Sequence, residues 1–155
     1  MGWLDKIADT AKSTLNLVQG EISKFMNKST MEATMAATAM VCTANGEMKS
    51  EELAALHACL AQNEALKAFK PTDMQIIFQK YYDKFKGTMK IAAQAEVLGK
   101  LRSIDKGSEA AYALVGVCCE IANADGVFDD EEKKHVKRIC ESVGVNPNDL
   151  GLNIG

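Results

Sequence analysis

Helix breakers are scarce in this sequence: two prolines and 11 glycines in 155 residues. Chain so rarely interrupted can stay helical over long stretches. No segment alternates apolar and polar residues at the strand period, which excludes a sheet of any size. There is no glycine-rich phosphate loop and hence no P-loop or dinucleotide fingerprint. Only two histidines occur, His57 and His135, and no serine or cysteine nucleophile stands at a recognisable spacing from either. Both are read as surface or half-buried helix residues. His57-Ala58-Cys59 lacks two further ligands for a zinc site. The longest apolar run, from Ala110 to Cys119, is too short to span a bilayer, which takes roughly 20 residues. No basic segment followed by an apolar core marks a signal peptide, so a soluble cytoplasmic protein is expected.

A chain that is 47% hydrophobic and 25% charged matches one ordinary globular domain. Ala, Leu, Met, Lys and Glu dominate, a helix-forming mixture. The formal net charge of −3 argues against a nucleic-acid binder. The one basic cluster, Lys133, Lys134, Lys137 and Arg138, reads as a solvated helix face. Five cysteines without metal-ligand spacing read as buried, reduced thiols.

Periodicity predicts an all-α fold, a single domain of seven to eight helices. The first, over residues 1–28, carries an apolar stripe of Leu4, Ile7, Ala11, Leu15, Val18, Ile22 and Phe25. It lies outside the expected helical domain of residues 29–155 and is suited to docking on that domain or on a partner. A second helix runs from about Ser29 to Ala44 with Met31, Met35, Ala39 and Cys42 on one face. A third starts near Ser50, and a short helical piece covers Glu64 to Phe69. Thr72 or Asp73 is the expected cap of a helix bearing Met74, Ile77, Phe78, Tyr81 and Phe85. Thr88 begins the next, with Ile91, Ala95, Leu98 and Leu101 as its apolar face. Ser108 caps a helix reaching Ala122. The last runs from Asp130 to Val143, stopped by Gly144 and followed by a closing turn at residues 146–150.

The offset that carries Asn45 onto Asp125 aligns two helix-loop-helix units, about residues 29–62 and 108–144. Gly46 then matches Gly126, Met48 matches Phe128, and Glu51-Glu52 match Glu131-Glu132. The second loop, ANADGVFDDEE, crowds five carboxylates around one glycine. Two uses fit it. Asp129 and Glu132 form a capping box that opens a helix. Alternatively, a hard divalent cation, Ca²⁺ or Mg²⁺, relieves the repulsion that a cap alone leaves around Asp125. An EF-hand is excluded: counted from Asp125, the twelfth position is Val136 where that motif needs glutamate.

ADGVFDDEEKKHVKRICESVGVNPNDL, preceded by the parallel ANGEMKSEE unit and the opening WLDKI, resembles the TerB-like family of tellurite-resistance proteins. The resemblance covers nearly the whole chain. It implies an all-helical fold with internal duplication and a cytoplasmic, non-enzymatic role in bacterial stress response. It further implies a membrane-embedded Ter partner, calcium-binding Ter partners, and metal chelation by acidic residues of the duplicated loops. Carried over, those are Asp125, Asp129 and Glu132 in the second unit, with Asn45 and Glu52 in the first. Asn45 stands where the family has aspartate, and Lys49 stands opposite Asp129, so the first unit is expected to bind a cation weakly. The alternative function is a metal-free interaction scaffold docking through its N-terminal helix.

Overall fold

The computed structural model describes residues 26–44, 46, 48–63, 66–122 and 129–150. Six α-helices and one 3₁₀ turn make up the described residues, with no strand among them. They are α1 (Lys28–Cys42), α2 (Ser50–Gln62), α3 (Pro71–Lys86), α4 (Lys90–Leu101), α5 (Glu109–Ala122) and α6 (Asp130–Val143), followed by the turn Pro147–Leu150. The predicted N-terminal helix lies outside the described residues, apart from its last positions. Of the short helical piece expected over residues 64–69, Leu66 lies in 3₁₀ conformation and residues 67–69 turn, with Phe69 N–H bonded to the Leu66 carbonyl at 3.0 Å.

Helix α1 is the centre of the fold, with α3, α4, α5 and α6 packed around it. Its sequence, KSTMEATMAATAMVC, is built from small residues and methionines, so neighbouring helices approach closely on every side. From Thr30 onward only Glu32 escapes full burial. The expected single face of Met31, Met35, Ala39 and Cys42 is therefore only part of a helix buried all round. Its hydroxyls are satisfied within the helix: Thr34 Oγ1 donates to the Thr30 carbonyl and Thr38 Oγ1 to the Thr34 carbonyl, each at 2.7 Å. Those bonds make a buried threonine tolerable. Asn27 caps the helix start, its Oδ1 accepting Thr30 N–H at 2.8 Å, and Met26 before it is buried in the core.

Two other boundaries differ from expectation. Helix α3 begins with Pro71 itself at its first position, after Lys70 and without a side-chain cap. Proline suits that position because the helix has no partner for that N–H anyway. Its buried face is Met74, Phe78, Tyr81, Tyr82 and Phe85, with Ile77 partly buried. Helix α4 begins at Lys90 rather than Thr88; of its expected apolar face Leu101 is buried and Leu98 partly so, and Ala93 and Val97 are buried beside them. Ile91 and Ala95, expected inside, are exposed. Lys84 and Glu96, 2.7 Å apart, tie α3 to α4.

Ser108 caps α5 as expected, its Oγ accepting Ala111 N–H at 3.1 Å. The two helix-loop-helix segments do not pack alike. Helices α5 and α6 of the second lie against each other, whereas α1 and α2 of the first touch little.

Candidate functional site

The acidic start of α6 is built by local sequence. Asp129 takes an extended conformation (φ −87°, ψ 176°) at the cap position, which aims its carboxylate at the open helix end. Asp129 Oδ1 accepts Glu132 N–H at 2.9 Å, and Glu132 Oε1 accepts Asp129 N–H at 3.1 Å. Asp130, Glu131 and Glu132 fill the first turn, where negative charge offsets the helix dipole by about 0.3–1 kcal/mol each when exposed. Glu132 is the exception to that exposure, at 6%. A carboxylate buried so deeply carries a desolvation cost, which the bond from Asp129 N–H helps to offset.

The equivalent start of α2 is weaker. Glu52 Oε1 accepts Lys49 N–H at 2.9 Å. Lys49 has only donors on its side chain, so no bond returns and the box closes on one side. The preceding loop turns tightly, with Gly46 N–H bonded to the Thr43 carbonyl at 3.1 Å and Gly46 at φ 124°. Tyr82 on α3 reaches this loop, its hydroxyl accepting Met48 N–H at 3.1 Å. Nothing in the periodicity announces that anchor: Tyr82 reads only as one more residue near an apolar face.

Of the five residues expected to hold a cation, the structure brings Asp129 and Glu132 together and places Glu52 as the third residue of α2, as Glu132 is of α6. Asn45 and Asp125 lie outside the described residues. Among the described residues no three His, Cys, Asp or Glu side chains group as metal ligands. Asp129, Glu132 and Glu52 alone therefore make no such group.

The thiols are poorly placed for redox chemistry. Cys118, Cys119 and Cys140 are buried, and all five cysteines are free of disulfides. Burial pushes Cys118 and Cys140 up to about 12, with Cys118 adding to the rise at Cys140, and Cys59 to about 11. A nucleophilic thiol needs the opposite shift. His135 is half-buried beside Arg138, and its Nδ1 is buried without a partner. Desolvation first and the Arg138 charge second hold its pKa below the ordinary value, keeping the ring neutral.

Among the described residues, two surface clefts stand out. One of about 290 Å³ lies between the starts of α1 and α5, but Asn27 and Ser108 on its wall already serve as helix caps. The other, about 480 Å³, lies under the α3–α4 turn with Met89, Ala92 and Ala93 on its apolar side and the Lys84–Glu96 pair on its polar side.

No helix of the described residues is long and apolar enough to cross a membrane. Comparison with curated proteins and with solved structures gives no match. The family model described as tellurite resistance protein TerB matches residues 31–152, a span running from α1 through the closing 3₁₀ turn. It takes in both acidic helix starts, and the chain belongs to the TerB family.

Proposed function

We propose that this chain is a non-enzymatic TerB module of tellurite and stress resistance, working in the cytoplasm by binding a divalent cation and protein partners. Asp125, Asp129 and Glu132 supply the oxygen ligands, with Asn45 and Glu52 as weaker contributors from the first loop. Ca²⁺ or Mg²⁺ suits such hard donors. The partners are a membrane-embedded Ter protein and calcium-binding Ter proteins. The observation that carries this reading is the paired arrangement of Asp129 and a nearly buried Glu132 at the start of α6. Each carboxylate gives one oxygen to the cap, which fixes where the two side chains sit. The raised thiols support the non-enzymatic side, since reduction of tellurite needs a reactive thiolate.

Calorimetric titration with calcium tests the reading, together with melting of Asp125→Asn. Loss of one charged ligand lowers the melting temperature in calcium but not in chelator, by the linkage between binding and stability. Equal shifts in both buffers, with no heat of calcium binding, would leave the cluster as a helix cap.

A second reading has its own observation. The reciprocal bonds between Asp129 and Glu132 already account for both side chains as a capping box. On that reading the chain is a metal-free interaction scaffold that docks through the apolar stripe of its N-terminal segment. Because Met26 is buried and Asn27 caps α1, the truncation that tests this ends at Phe25. Loss of partner capture with an unchanged cooperative melt supports docking.

A further inference from the structure

Helix α4 is apolar on the side it turns to solvent as well as on the side it buries. Ile91, Ala95 and Leu98 follow one another at four- and three-residue intervals and so share a face. Ile91 is 84% exposed, Ala95 is exposed and Leu98 is half-buried. Gly99 continues that face one turn beyond Ala95, and a Cβ added to it would meet nothing within 4 Å. Of the helix's charged residues, Glu96 is engaged with Lys84 and Lys100 with Glu32, and Lys90 stands at its first position. A helix apolar all round is ordinarily covered all round.

Residues 1–25 join the fold beside the end of this helix. Met26 is buried, its sulfur 3.7 Å from Thr34 Oγ1, and Asn27 shares a cleft wall with Ser103 and Ile104, just past α4. Glu32, in the second turn of α1, reaches Lys100 in the last turn of α4 at 3.9 Å. From that corner the exposed face runs back towards Ile91. Helix α4 has 12 residues and is about 18 Å long. Even wholly helical, 25 residues span about 37 Å, which leaves chain to spare for doubling back. Leu4, Ile7, Ala11, Leu15, Val18, Ile22 and Phe25 give this segment an apolar stripe. Its carboxylates Asp5, Asp9 and Glu21 are balanced by Lys6, Lys12 and Lys24, so it suits an apolar face better than a charged one. A tethered segment also acts at an effective concentration on the order of millimolar, ahead of a second copy or a separate partner at micromolar levels.

We infer that residues 1–25 fold back along α4 and cover the outward face of Ile91, Ala95 and Leu98 with their apolar stripe. The stripe that the scaffold reading offers to partners is then covered in the free chain, and a partner gains it only by displacing it from α4. The acidic loop takes no part in this contact, so its failure leaves the proposed cation site untouched.

The full chain carrying the photo-cross-linker Ala95→benzoylphenylalanine is irradiated at micromolar concentration and the joined peptides are mapped. The cross-link should run from position 95 to residues 4–25 of the same chain. A product of doubled mass would make this face an interface between copies, and overturns the inference. Irradiation that joins nothing to residues 1–25 overturns it too. Limited trypsin digestion reads the same contact without a bulky probe. Cleavage after Lys6 and Lys12 should quicken about tenfold or more in Ile91→Glu with Ala95→Glu, and comparably in Leu15→Glu with Val18→Glu. Ile91 and Ala95 are exposed, so the cooperative circular-dichroism melt of the helical domain should persist in the first variant. Unchanged cleavage in that variant overturns the inference, and so does protection that falls as the protein is diluted.

Discussion

Asp129 and Glu132 hold the start of α6 from both sides, each accepting the other's backbone N–H, at 2.9 and 3.1 Å. Two substitutions at Asp129 separate the cap from the charge. Asparagine caps a helix about as well as aspartate, while alanine does not cap at all. Asp129→Ala should lose about 1 kcal/mol of stability in chelator, measured by urea unfolding. Asp129→Asn should match the wild type in chelator yet lose the rise in melting temperature that calcium confers. An Asp129→Asn protein with the full calcium response would remove this residue from the cation ligands.

The end of the same helix is equally specific. Gly144 has φ 69°, and an added Cβ would stand 2.8 Å from Lys106 Cβ and 3.1 Å from Gly107 N. The neighbouring chain cannot easily retreat, because Gly107 N–H is bonded to the Val143 carbonyl at 2.8 Å. Backbone strain and overlap together should make Gly144→Ala about 1–3 kcal/mol less stable. A chemical-denaturation midpoint within error of the wild type would show that the α6 terminus relaxes freely.

Tyr82 supports the first loop from a distance, its hydroxyl accepting Met48 N–H at 3.1 Å. Its ring stacks on Phe78 with centroids 5.8 Å apart, and Tyr82→Phe preserves that packing. Only the acceptor is lost, which should cost about 1 kcal/mol. Hydrogen exchange at the Met48 amide should accelerate while the α3 amides keep their protection. Uniform acceleration through α3 would mean that the hydroxyl stabilises the core rather than the loop.

Alkali should weaken the fold early. Unfolded thiols lose their protons near pH 8.5, whereas Cys59 holds its proton to about 11 and Cys118 and Cys140 to about 12. Above the unfolded value the folded state binds more protons than the unfolded one, so stability falls as pH rises towards the folded values. Tyr112 adds to the loss at higher pH, because its hydrogen bond to Asp149 holds its pKa above the ordinary value. Melting temperature should fall between about pH 8.5 and 10.5, and less steeply in Cys140→Ala. Iodoacetamide at neutral pH should leave Cys118, Cys119 and Cys140 unlabelled until denaturant is added. A flat profile with ready labelling would contradict the burial of this cluster.

Local chemistry carried the parts of the fold that were legible in advance. Helix α6 runs over the expected Asp130–Val143 because its signals lie within a few residues of its ends: the Asp129–Glu132 box and a left-handed Gly144. The Ser108 cap of α5 is local in the same way. Where two local signals competed, nearest-neighbour chemistry was not enough. Thr72 and Asp73 are both able caps, yet Pro71 occupies the first turn of α3.

What the sequence determined by itself was therefore the helical class, most of the helix limits, the capping chemistry at the acidic loop and the family. These depend on backbone propensity and on contacts three or four residues apart. Tertiary structure alone decided which faces are covered. Helix α4 has apolar residues on more than one side, and packing against α1 and α3 buries Ala93 and Val97 beside the expected Leu101 while leaving the expected Ile91 and Ala95 exposed. Helix α1 shows one apolar face on paper but is surrounded in the fold. Tyr82 at Met48, Tyr112 at Asp149 and the buried thiols of α5 and α6 likewise depend on residues far apart in the chain. Burial free energy belongs to the whole packed assembly, so which apolar stripe is covered cannot be read from any one helix.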